Sequence, residues 1–108
     1  MGRFLLIESD DAFQSKAVDG FLKLATDLAS LGHRVTLFLV QNAVLMTRRG
    51  APSEALHAAA LAGVEVLADD FSLRERGIPA ARMSEHVTVT GIDTVVDRLA
   101  AGDRAFWH

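Results

Sequence analysis

The chain has 108 residues, of which 50% are hydrophobic, and eleven Lys and Arg against fourteen Asp and Glu leave a net charge of −3. A length of this order fits one domain, taken here as residues 1–108, whose folding removes roughly two-thirds of the unfolded surface from water without staples. The mild acidity is spread along the chain and gives no footprint for nucleic acid, and the absence of cysteine removes disulfides, thiolate metal sites and thiol chemistry together.

The first strand is expected over residues 3–8, where Phe4-Leu5-Leu6-Ile7 form the nearly continuous apolar run of a strand covered on both faces. Residues 13–31 read as a long helix. Its Ala17, Val18, Phe21, Leu22, Ala25, Leu28 and Ala29 follow the helical spacing, and Asp11 with Gln14 suggests a capping box. A second strand follows over 34–40, then a short helix over 43–48 before Gly50 and Pro52 break the chain. The alanine-rich stretch 53–62 is a helix, 64–68 the third strand, and 70–76 one or two helical turns ending at Gly77. A fourth strand is placed at 87–90. The last helix opens at Thr90-Gly91-Ile92-Asp93 and puts Ile92, Val95, Val96 and Leu99 on one face, and a fifth strand is placed at 104–107.

One phrase recurs: helix, glycine, strand. It stands at Leu31-Gly32-His33-Arg34-Val35, at Ala62-Gly63-Val64-Glu65-Val66 and, more weakly, at Ala101-Gly102-Asp103-Arg104. A glycine just past a helix takes the left-handed conformation that closes the last turn, and a β-rich run then begins. The alternation predicts an α/β fold, a doubly wound three-layer α/β/α sandwich around a mostly parallel five-stranded sheet. The apolar runs, including 35–40 with its Thr36, fall short of the roughly 20 residues of a spanning helix or the roughly 7–15 of a signal peptide. The expectation is a cytoplasmic protein with no membrane partner.

In such a sheet a ligand sits beyond the carboxyl ends of the strands, near the point where strand order reverses. Those ends carry Asp10 and Asp11, Asn42, Asp69, Asp70 and Ser72, and Thr90. Clustered carboxylate and amide oxygens suit a hard cation such as Mg²⁺ or Ca²⁺. The competing reading makes Asp11 and Asp70 helix caps and leaves Asp10 and Asp69 as solvated loop residues. A receiver-like phosphoacceptor also places acids at these ends, but it needs a basic group at the last strand. The last strand offers Arg104 and no lysine, and the only lysines, Lys16 and Lys23, both fall on the first helix. The four histidines, His33, His57, His86 and His108, have no ligand spacing, and no phosphate-cradling glycine loop or serine elbow is present. No catalytic residue, metal or cofactor is assigned.

Leu31 to Val35, Gly63 to Val66 and above all Ser72-Leu73-Arg74-Glu75-Arg76-Gly77-Ile78 resemble the DsrE/DsrF-like, or YchN-like, sulfur-relay family over almost the whole chain. The resemblance implies a compact α/β/α domain that assembles into trimers or hexamers, alone or with related subunits. In that family a relay cysteine commonly stands four residues before the Arg-Gly pair, sometimes with a second three residues earlier. The matching positions here are Ser72 and Asp69. A hydroxyl has neither the acidity nor the polarisable sulfur to carry a persulfide. What is expected is therefore a non-catalytic, self-assembling domain, a scaffold or partner subunit in a sulfur-related or redox-related pathway. The segment 55–62 and the Phe106-Trp107 pair are its candidate interface elements. The alternative is a small-molecule or metal-ion binding module in which Asp10, Asn42, Asp69, Asp70 and Ser72 line an acidic pocket.

Overall fold

The computed structural model describes residues 2–13, 15–48, 53–79 and 83–108. Strands β1 (Arg3–Glu8), β2 (Arg34–Leu39), β3 (Glu65–Asp69), β4 (Val87–Thr90) and β5 (Arg104–Trp107) form one sheet in the order β4-β3-β2-β1-β5. All four ladders are parallel. The helices are α1 (Ala17–Ser30), α2 (Glu54–Leu61), α3 (Asp70–Glu75) and α4 (Asp93–Ala100), with a 3₁₀ helix at Gln41–Thr47 after β2. They lie on both sides of the sheet, as the alternation of elements predicts.

The helix–glycine–strand phrase folds the same way three times. Gly32, Gly63 and Gly102 take φ of +93°, +99° and +93°. In each case the residue that follows donates its N–H to a carbonyl five positions back: His33 to Leu28, Val64 to Ala59, and Asp103 to Arg98. These bonds satisfy orphan carbonyls at the helix end and turn the chain straight into the next strand.

Three element ends differ from expectation by more than one residue or in their cap. Helix α1 starts at Ala17 rather than residue 13, because the Asp11 side chain accepts the Phe13 N–H (3.3 Å) and the Asp11 carbonyl accepts the Ser15 N–H (3.1 Å). Those bonds hold the segment in a turn ahead of the helix. Gln14, the other half of the expected capping box, lies outside the described residues, as do Gly50 and Pro52. The short helix expected at 43–48 begins two residues earlier as a 3₁₀ helix, on a Gln41 held at φ +51°. Asp69, not Asp70, caps α3: its side chain accepts the Ser72 N–H at 3.0 Å.

The two faces of the sheet are covered unequally. Against one face, Val18, Leu22 and Ala25 of α1 and Leu56 and Ala59 of α2 join Leu6, Leu37, Leu39 and Val66 of the strands in the main core. The inward residues of the alanine-rich helix are thus committed to the core. On the other face the buried cluster among the described residues is Leu5, Phe38, Leu67 and Val95, the last its one helical member. Of the four apolar residues expected to share the α4 face, only Val95 is buried; Ile92, Val96 and Leu99 are exposed. Beside them the cover is polar. Arg98 of α4 bonds Thr36 of β2 (2.9 Å) and pairs with Glu65 of β3 (2.8 Å).

Candidate functional site

Strand order reverses at β1. The chain leaves β1 for β2 on one side and finally returns as β5 on the other. The carboxyl end of the β1–β5 pair is therefore where an open α/β sheet offers a crevice. Glu8 ends β1, and its side chain is 0% exposed. Its Oε2 accepts the backbone N–H groups of Ser9 (3.0 Å) and Asp10 (3.1 Å), and both of its oxygens lie 2.9 Å from Nδ1 of His108.

His108, the residue after β5, is fixed on every side. Its N–H reaches the Ile7 carbonyl (2.9 Å), and its carbonyl accepts from the Ser9 N–H (3.1 Å) and hydroxyl (3.0 Å). Its ring stacks on Phe21 of α1 with centroids 5.4 Å apart. Asp10 stands at the rim of this group, exposed. One ligand atom from each of Glu8, Asp10 and His108 lies within 4.8 Å of the other two.

A second polar group joins the ends of β2 and β3. Ser72 is buried; its hydroxyl donates to Asp69 Oδ2 at 2.7 Å and accepts the Gln41 N–H at 2.9 Å. Arg76 donates through Nε (3.2 Å) and Nη2 (3.1 Å) to Oδ1 of Asn42, and through Nη1 to the Ser72 carbonyl (3.2 Å). The group is a hydrogen-bonded clamp holding the β2 end against α3, and the strained Gln41 backbone is held by its bond to Ser72. Asp70 points away from it, pairing with Arg74 at 3.4 Å on the surface.

The sequence-predicted site residues thus fall into three places. Asn42, Asp69 and Ser72 are brought together through Arg76 and Gln41. Asp10 belongs to the β1–β5 group. Asp70 lines a separate cleft of about 450 Å³ with Asp69, Phe71, Arg74, Ile92 and Asp93. Glu8 and His108 were missed. Glu8 carried a signal, a charge closing an otherwise apolar strand; His108 carried none, since its role depends on β5 lying beside β1.

The DsrE/DsrF-like family model matches residues 3–107. The chain belongs to that family. Among solved structures, this DsrE/DsrF-like chain is similar to the YchN protein of E. coli, with a TM-score of 0.83, 21% identity, and 98% of this chain and 99% of that one covered. It is similar also to MTH1491 of Methanobacterium thermoautotrophicum, a protein of unknown function, with a TM-score of 0.80, 23% identity and both chains fully covered. A third, BT1422 of Bacteroides thetaiotaomicron, gives a TM-score of 0.77 and 14% identity over 98% of this chain and 95% of its own. These likenesses extend to the fold. No curated protein matches the chain at a significant level. Among the described residues no helix is long and apolar enough to cross a membrane.

Proposed function

We propose that this DsrE/DsrF-like chain is a non-catalytic, self-assembling subunit, a cytoplasmic scaffold or partner for related subunits in a sulfur-related or redox-related pathway, and not itself a persulfide carrier. The observation that carries the reading is the thinly covered face of the sheet. Val96 (59% exposed) and Ile92 and Leu99 form a stripe at i, i+4, i+7 along α4, and Trp107 is 72% exposed on β5. Trp107 is in register with Ile7, which packs in the α4-side cluster, so its ring leaves the sheet on the same side as α4. Exposed apolar residues concentrated on one face favour a protein interface.

The chemistry at the relay position supports the second half of the reading. The family's cysteine is replaced by Ser72, whose hydroxyl is already used as both donor and acceptor. Without a thiol, sulfane sulfur has no atom to ride on.

Native mass spectrometry of the untagged protein tests the proposal. A trimer or hexamer is expected, and no sulfur retained after incubation with polysulfide. A monomer at micromolar concentration with no affinity for a cysteine-bearing relative would overturn it.

A further inference from the structure

We propose that Glu8, Asp10 and His108 form a binding site for one divalent transition-metal cation, with Zn²⁺ the best fit. The proposal is independent of the assembly reading. It rests on spacing, preorganisation and an uncommitted ligand.

Two ligands held about 2.1 Å from one tetrahedral zinc ion are about 3.4 Å apart. The separation of His108 Nδ1 from the Glu8 oxygens is 2.9 Å, so a small opening of the pair brings them to the spacing of adjacent ligands. A cation would take the place of the proton these groups share. Coordination through Nδ1 requires that nitrogen to give up its hydrogen, so the neutral imidazole carries it on Nε2.

The ligands are also held in place by partners of their own, as metal ligands usually are. The Ser9 and Asp10 N–H groups bond Oε2 of Glu8 and leave Oε1 with His108 as its sole partner among the described residues. Phe21 and the main-chain bonds to Ile7 and Ser9 fix the imidazole. The third ligand is free: no side-chain hydrogen bond or ion pair engages Asp10 among the described residues, and its exposure gives a cation a way in.

Two carboxylates beside one imidazole leave negative charge that a divalent cation neutralises. The nitrogen ligand favours Zn²⁺ and its neighbours over Mg²⁺ and Ca²⁺, which prefer all-oxygen sites. The location agrees, since this is the end of the sheet at which strand order reverses.

The test is isothermal titration of the demetallated full chain with ZnCl₂ alone, with native mass spectra recorded on the same samples so that metal content and assembly mass are read separately. One zinc per chain is expected, with a rise in melting temperature. Asp10→Asn, at an exposed position, should weaken binding about tenfold or more while leaving the fold intact, and His108→Gln should abolish it. The rival is the pair His57 and His86, whose ring centroids lie 5.1 Å apart; His57→Asn should change nothing. The proposal fails if wild type shows no zinc binding tighter than about 100 µM. It fails equally if binding is indifferent to Asp10→Asn, or is lost with His57→Asn.

Discussion

The two faces of the sheet solve the problem of burial differently. On one, α1 and α2 interlock with the strands, and Val18, Leu22, Ala25 and Ala59 lose all contact with solvent. On the other, among the described residues, the eight-residue α4 is the one helix with a side chain in the buried cluster. It spends Arg98 on a polar tie to Thr36 and Glu65 and leaves its apolar stripe facing out. A 108-residue chain has little further surface with which to cover that face. One face thus holds the larger buried core, and the other keeps Ile92, Val96, Leu99 and Trp107 exposed.

The sharpest break between them is a pair of core and surface changes. Leu22→Ala, under α1, should cost about 2–5 kcal/mol in urea unfolding, whereas Val96→Ser on α4 should move the stability of the isolated chain by no more than about 0.5 kcal/mol. Equal losses would mean that the α4 side is as firmly built as the α1 side. Next, the double change Val96→Asp with Trp107→Ser should weaken assembly about a hundredfold in sedimentation or native mass measurements. An unchanged assembly mass would move the interface elsewhere.

Smaller effects lie at the clamp between the two halves of the sheet. Asp69→Ala removes the α3 cap and the partner of the buried Ser72 hydroxyl, and a loss of about 1–2 kcal/mol is expected from chemical denaturation. Smallest is the expected outcome of Ser72→Cys. The new thiol would stand buried beside the Asp69 carboxylate, which opposes thiolate formation. Iodoacetamide should alkylate it several-fold more slowly than free cysteine, and Asp69→Asn should restore part of the rate; faster alkylation of the single variant would contradict this account of the clamp.

Much of the fold was legible because it is written in local terms. Residues 3–8, 87–90 and 104–107 read as strands and are strands with those ends, and Gly32, Gly63 and Gly102 each announce the strand after them. The α1 start was misplaced because the Asp11 turn competes with the helix for the same backbone N–H groups. Four apolar residues on α4 look alike in sequence, and only the structure reveals that Val95 alone of them is buried. The site divides in the same way. The acids beyond the strand ends are visible as letters, but which of them meet depends on strand order. Glu8 and His108 become neighbours through a ladder between the two ends of the sequence.

That ladder has a consequence for synthesis. The Glu8–His108 contact spans 100 positions, so β1 leaves the ribosome long before the strand that covers its outer edge. In the interval the backbone of Phe4-Leu5-Leu6-Ile7 has an unsatisfied row of donors and acceptors beside an apolar surface, the arrangement most open to strand addition by a foreign chain. The last five residues, 104–108, act as a latch on the nascent sheet, and losing them would be felt first in the yield of soluble protein.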